Sequence, residues 1–296
     1  MQSLYKMKHH LKTYFGLIAL TFFSLSVGKM NGQSKSEVSV FTGGVITNLA
    51  YDVEGSEQLK KPFKPSLGLG YSFYIKERWA LNLEVHYQNY QGETQYGSLD
   101  GSYMTVDNEG ESFEFRYTLN GFTENQNVDV LHIPLTVQFE TKGNTRFFAR
   151  VGGQIGLLLA SEYESAAASL TTSGFYPQFN AELFDPQFMG FGQYNNVRQA
   201  PTDLGWQNSF DAVVEAGVKY SLGNYQNLYI GLVLNYGLNA LSSDVAPTDL
   251  LLYQTQDPEN FVVNSLFDSG YAKDARLRAF GIKLRYGFNG FTKSEE

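Results

Sequence analysis

Trp79, Leu81, Leu83, Val85 and Tyr87 alternate with Ala80, Asn82, Glu84, His86, Gln88 and Tyr90. A period of two places the first set on one face of an extended strand and the second on the other. One face suits hydrocarbon and has aromatic rings at its ends, while the other carries charge. Strands of a membrane-spanning barrel have this form, apolar outside and polar inside, over roughly 9–11 residues. Seven further runs repeat it: Glu37–Leu49, Ser66–Ile75, Val128–Glu140, Thr145–Leu158, Ser209–Leu222, Asn227–Leu238 and Ala275–Phe288. In the last of them Phe280, Ile282, Leu284, Tyr286 and Phe288 oppose Gly281, Lys283, Arg285 and Gly287.

The connections alternate as well. Lys76-Glu77-Arg78, Thr141-Lys142-Gly143-Asn144 and Gly223-Asn224-Tyr225-Gln226 are tight hairpin turns, two of them with Gly and Asn to supply positive φ. The other four connections, 50–65, 91–127, 159–208 and 239–274, are long. Short turns at one end, long loops at the other and an even strand count predict an all-β fold. It is an eight-stranded antiparallel up-and-down transmembrane β-barrel with long extracellular loops and both termini on the periplasmic side. A soluble calyx has the same alternation with its apolar face inside. The Gly-rich polar faces, the aromatic brackets and the final aromatic Phe288 favour the membrane form.

Composition agrees. Of 296 residues 15% are aromatic and 18% charged, with 29 Gly and no Cys. That excludes a disulfide framework, thiolate metal sites and a Cys nucleophile. Lys6, Lys8, Lys12, His9 and His10 precede an uncharged, largely apolar stretch from Tyr14 to Val27, and Gly28 to Gly32 is small and polar. Residues 1–32 therefore read as a signal peptide whose core is too short to span. Residues 33–290 form the barrel, and 291–296 a C-terminal tail. Translation from Met7 would leave the same reading. Removing residues 1–32 takes four Lys and no acid, so 22 bases against 30 acids become 18 against 30, a net charge of −12. Nucleic acid is a poor partner for such a surface.

Short motifs carry a family likeness. Leu131-His132-Ile133-Pro134-Leu135, the glycine-spaced Ala149–Leu158, Asn235-Tyr236-Gly237-Leu238 and the closing Gly281–Phe288 resemble strands of the PorT-like outer membrane β-barrel family of the Bacteroidota. The Ile-Pro pair is the most specific, because Pro cannot donate to a strand ladder. The resemblance covers about residues 37–288 and implies an outer-membrane protein of the cell envelope. The family takes its name from a member tied to type IX secretion, but the long acidic loops here lie outside the family pattern.

The inward faces hold Glu84, His86, Arg150, Glu215, Lys219, Lys283 and Arg285. A barrel of eight strands is just wide enough to be filled by side chains, and unpaired buried charge is costly. The expectation is ion pairing, with Glu84 and Glu215 each meeting at least one of Arg150, Lys283 and Arg285, rather than catalysis. His86 and His132 are the only histidines after residue 32, and neither adjoins a Ser in a nucleophile motif. No enzyme activity, cofactor or metal site is expected. Asp107-Asn108-Glu109-Gly110-Glu111 lacks the spacing of a Ca²⁺ loop and reads as a solvated acidic turn. Phe113–Leu119 alternates again, so the third and fourth strands extend past the membrane as a hairpin.

Residues 159–208 are rich in rings: Phe175, Tyr176, Phe179, Phe184, Phe188, Phe191, Tyr194 and Trp206. Three readings stand: mutual packing of the loops, a surface for another envelope protein or a glycan, or a plug. The role expected besides contact with outer-membrane lipid is structural or as a binding and accessory subunit with a filled lumen. The alternatives are a small-solute channel or transport component, and a subunit of a secretion (type IX-like) or outer-membrane assembly complex.

Overall fold

The computed structural model describes residues 36–53, 55, 57–58, 62–222, 226–242 and 246–289. The expected signal peptide, the C-terminal tail and the tip of the Gly223–Gln226 turn lie outside these residues. Eight strands form a closed ring: β1 (Ser36–Val53), β2 (Phe63–Lys76), β3 (Trp79–Val106), β4 (Ser112–Glu140), β5 (Thr145–Tyr176), β6 (Ser209–Ser221), β7 (Gln226–Gly237) and β8 (Ala272–Asn289). Every strand pairs antiparallel with its sequence neighbours, and β8 pairs with β1 from Glu37↔Asn289 to Val53↔Ala272. All eight predicted strands are present.

The pleat decides which side chains meet the outside. Val40, Leu69, Leu83, Leu135, Val151, Val214, Leu232 and Ile282, one from each strand, are all exposed. Together with Phe147, Phe210, Ile230 and Phe280 they make a continuous apolar girdle. In water so much exposed apolar surface would drive aggregation, whereas in a bilayer it is the required exterior. Within the ring, the ladder between β3 and β4 is interrupted opposite Pro134. Register runs from Leu83↔Leu135 to His86↔His132 and skips the two pairs between. A residue without an N–H accounts for the gap.

Above the girdle the expected hairpin extension of the third and fourth strands is present, and the structure departs from the expected loop at 159–176. Most of 91–127 and the first third of 159–208 are strand, because β3, β4 and β5 run on without a break. Thr94, Tyr96, Phe122, Gln126 and Val128 continue the inward side of the ring. Between the pairs Tyr96↔Phe122 and Ser98↔Asn120 stand Gly97 and Gly121, and Gly121 has φ +61°. Here both strands swap faces together: below them even-numbered residues point inward, and above them Leu99, Leu119, Tyr117, Phe115 and Phe113 do. The chain after β5 turns back as a strand over Gly192–Asp203, which pairs with Glu162–Thr172 of β5. Residues 246–271 tuck into the concave side of this raised sheet. Leu250, Leu251, Tyr253, Val263 and Leu266 are buried there against Phe113, Phe115, Leu119 and Leu170.

The girdle makes a depth-dependent prediction. Arg in place of Leu232, 54% exposed at mid-girdle, should cost about 2–4 kcal/mol in reversible folding into lipid vesicles. Thr118→Arg, on the outward face of the raised sheet, should cost close to nothing. Equal costs at the two sites would remove the bilayer from the girdle.

Candidate functional site

The lumen is closed by three successive layers of polar side chains. At the turn end, Glu37 is the second residue of β1 and Glu140 the last of β4. Lys219 donates to Glu140 at 3.0 Å and to the Tyr74 hydroxyl at 2.7 Å, and it lies 3.8 Å from Glu37. Tyr229 and Asn227 donate to Glu37 at 2.7 and 2.6 Å, and Tyr74 and Arg146 donate to Glu140 at 2.8 and 3.1 Å. Each carboxylate thus has more than one donor, which buried anions need.

The middle layer holds two carboxylates among three cations. Glu84 meets Arg150 at 2.6 Å, Lys283 at 2.5 Å and Arg285 at 2.7 Å, while Glu215 meets Arg285 at 2.9 Å and Lys283 at 3.3 Å. Arg150 Nε also donates to Gln138 Oε1. The Lys283 ammonium sits 3.9 Å from the centre of the Phe41 ring, and the Arg285 guanidinium 5.4 Å from that of Tyr229. Aromatic faces thereby receive part of the cationic surface that no carboxylate covers.

In the upper layer the His86 and His132 rings stack at 5.0 Å. His132 Nε2 lies 3.0 Å from the Tyr90 hydroxyl, and Gln154 Nε2 lies 3.0 Å from His132 Nδ1. Gln154 Nε2 also donates to Asp211 at 2.9 Å, and Ser209 donates to the same oxygen at 3.1 Å. A cavity of about 20 Å³ remains between the middle and upper layers, bounded by Glu84, His86, Gln154, Glu215, Asn235 and Lys283. It has room for about one water molecule, whose partners would be the otherwise unpaired His86 Nδ1, Gln154 Oε1 and Asn235 Oδ1.

Of the inward charges predicted from sequence, Glu84, Arg150, Glu215, Lys283 and Arg285 share the middle layer. Lys219 belongs to the layer below and His86 to the one above. Glu37, Glu140 and Asp211 were not among the predicted set. Glu37 and Glu140 stand at strand ends, where a charge reads as a turn residue. Their parity was the available signal, since Glu140 follows Thr136 and Gln138 on the same face.

Over the barrel, Glu124 of β4 is fully buried beneath the inserted segment. It accepts hydrogen bonds from Gln126 Nε2 at 2.8 Å, Ser265 Oγ at 2.9 Å and the Leu266 N–H at 2.8 Å. Burial pushes its pKa up from 4.5 to about 7; those three hydrogen bonds oppose the rise and the nearby Asp268 adds to it. Tyr51 of β1 and Tyr163 of β5 complete the titratable surroundings. Higher still, the Asp107 carboxylate is occupied by its own turn. It accepts from the Glu109 and Glu111 N–H groups at 3.0 and 2.9 Å and from the Tyr176 hydroxyl at 3.0 Å.

The ring-rich segment divides. Phe179, Phe184 and Phe188 are well exposed. Tyr176 and Phe191 are interior, which corrects their place in the expected partner surface: they pack against Phe113, at 5.2 and 5.4 Å. Tyr194 and Trp206 lean on Phe261 and Phe267 of the inserted segment, and Phe175 lies under the Arg116 guanidinium. Tyr176, Phe191, Tyr194 and Trp206 are held because the raised sheet needs an apolar filling that the lumen does not supply, whereas Phe175 is covered from outside by Arg116.

A family model described as outer membrane protein beta-barrel domain matches residues 30–243, and the chain belongs to that family. It is an outer-membrane β-barrel protein. Similar solved structures include neisserial surface protein A, at 11% identity over 86% of this chain and 97% of that one, with a TM-score of 0.34. The attachment invasion locus protein Ail of Yersinia pestis matches at 9% identity over 87% and 99%, with a TM-score of 0.31. OprG of Pseudomonas aeruginosa matches at 12% identity over 86% and 95%, with a TM-score of 0.37. No curated protein sequence matches the chain.

The buried carboxylates of the lumen and of the raised sheet each make a prediction. Glu84→Ala strands Arg150, Lys283 and Arg285 around a single carboxylate and should destabilise the barrel by about 3–5 kcal/mol in denaturant unfolding; a loss near zero would mean that the lumen is wet. The folded pKa of Glu124 lies above its unfolded value, so its stabilising contribution is complete below about pH 4.5. It is lost as pH rises through about 7. Hydrogen exchange of Ser265–Phe267 should therefore quicken between pH 5 and 8 beyond the intrinsic rate, and Glu124→Gln should abolish that excess.

Proposed function

We propose that this outer-membrane protein is a closed anchor that holds a binding platform above the bilayer, not a conduit through it. One contrast carries the reading. The lumen retains a cavity of only about 20 Å³, yet β3 continues from Gln88 to Val106 beyond the girdle and β4 returns over the same length. At roughly 3.3 Å per residue that is about 60 Å of strand, far more than closing a barrel requires. Long strands ordered outside the membrane gain nothing for transport and supply a rigid surface for recognition.

On this reading the tight turns and both termini are periplasmic and the raised sheet is extracellular, in keeping with the short-turn, long-loop asymmetry of such barrels. The partner is another envelope protein or a glycan, and the exposed Phe179, Phe184 and Phe188 belong to the surface offered to it. We assign no catalytic role: His86 and His132 are committed to the upper lumen layer. The Leu131–Leu135 strand, with Pro134 at the ladder gap, supports placing the chain in the PorT-like branch of the Bacteroidota, and a secretion role is not part of the proposal.

Planar-bilayer recording decides between anchor and channel. Purified protein should insert without unitary current steps at neutral pH. Reproducible ion-selective openings in most insertions would sink the closed-anchor reading and favour the small-solute channel.

A further inference from the structure

We infer that the open edge of β3 at Asp100, Ser102 and Met104 is a docking strand for an extended polypeptide segment of another protein, one carrying a basic side chain. The inference rests on the platform reading and names its partner class.

Beyond the girdle β3 has a partner on one side only. It pairs with β4 up to Val106↔Ser112, but its pairing with β2 ends at Leu67↔Tyr87. The two-residue strand Glu57–Gln58 covers Gln95 and Thr94. Past that point no strand among the described residues pairs with the other edge. The phase of the ladder then says which backbone groups are open. The Asp107 N–H donates to the Glu111 carbonyl across the hairpin, so in this stretch odd-numbered residues of β3 face β4 and even-numbered ones face away. The Val106 carbonyl fits this phase, since it accepts a hydrogen bond from Thr255 Oγ1, at 3.2 Å, in the inserted segment. Asp100, Ser102 and Met104 are left turning N–H and C=O outward with no hydrogen-bond partner among the described residues.

Proteins usually blunt such edges with Lys, Pro, a bulge or a covering segment. Ser98–Val106 contains neither Lys nor Pro, and its register with β4 is unbroken. Instead a cavity of about 810 Å³ lies beside Gly101 and Ser102. Tyr51 and Tyr117 also border it, as do Asp249, Tyr271 and Lys273. A row of backbone donors and acceptors at strand spacing is complemented by another backbone, and a groove alongside takes that strand's side chains. Asp52 and Asp249 outnumber Lys273 in the lining of the cavity, which favours a basic segment. A second copy would set these acids against themselves.

The test uses full-length protein in nanodiscs with the capped heptapeptide Thr-Val-Thr-Lys-Thr-Val-Thr, read by residue-resolved hydrogen exchange. With peptide at millimolar concentration, the Asp100, Ser102 and Met104 amides should slow by about tenfold or more, while Leu99, Gly101 and Tyr103 stay unchanged. A peptide N-methylated at alternate residues should give no protection. Asp249→Asn should weaken the Lys peptide about two- to fivefold. Ser102→Pro, which removes an edge donor without touching the β3–β4 ladder, should abolish protection at Asp100 and Met104, and Ser102→Ala should keep it. Absence of protection with the unmethylated peptide, or equal protection with the methylated one, overturns the inference. So does protection that grows with protein concentration without peptide, since a second copy would then hold the edge. Planar-bilayer conductance of the same purified protein separates the two failures: current steps would overturn the platform reading, whereas a silent barrel with an unprotected edge would overturn the docking strand alone.

Discussion

Hydrocarbon offers no hydrogen bonds, so every backbone N–H and C=O that crosses it must find a partner within the protein. For this chain the constraint dictates a closed sheet. Eight strands pair each with the next, and Glu37↔Asn289 through Val53↔Ala272 seals the ring. Closure at eight strands fixes a radius that side chains can fill, and filling exposes each inward charge to a medium in which solitude is expensive. The three layers are the consequence. Glu84 with three cations and Glu140 with Lys219, Arg146 and Tyr74 are terms imposed on polar residues once the ring is shut.

Beyond the girdle the constraint lapses, because water can satisfy an unpaired edge. There the same strands no longer form a ring. β3, β4, β5 and the Gly192–Asp203 strand continue as an open sheet, while β2, β6 and β7 end lower and β1 and β8 remain paired only as far as Val53↔Ala272. What holds the open part together is ordinary burial around Phe113, Phe115, Leu119, Leu170, Tyr253 and Leu266, with residues 246–271 acting as the filling. The two halves of one strand therefore obey different rules. The lower half has an apolar exterior and a polar interior, and the upper half reverses this. Gly97 and Gly121 stand where the reversal takes place, and the positive φ of Gly121 is a backbone state that other residues rarely adopt.

The barrel was legible because a two-residue period repeated eight times leaves little choice of fold. The raised sheet was only partly legible. The Phe113–Leu119 alternation was visible, but the swap of faces at Gly97 and Gly121 broke the period, and glycines beside acidic residues resemble loop composition. In β5 the run from Ser161 to Tyr176 mixes small, polar and aromatic residues. It becomes strand because it has β4 on one side and Gly192–Asp203 on the other, a tertiary override that local pattern does not carry. The middle lumen layer was legible from parity alone. Glu37 and Glu140 were not, since a residue at the very start or end of a strand is not fixed by the alternation on both sides of it.

The two kinds of buried carboxylate show why the lumen and the raised sheet suit different tasks. Glu84 is surrounded by two guanidinium groups and the Lys283 ammonium, and removing any one partner leaves a charge with no solvent to turn to, so the middle layer resists opening. Glu124 has only neutral donors, Gln126, Ser265 and the Leu266 N–H, and its charge is uncompensated by any cation among them. Ion pairing locks the barrel, whereas the segment that fills the raised sheet is fastened by neutral hydrogen bonds and packing, which local motion can break at much smaller cost. On the proposed platform reading, a molecule built this way keeps its membrane part invariant and leaves whatever adjustment recognition would demand to residues 246–271, which border the cavity beside Gly101 and Ser102.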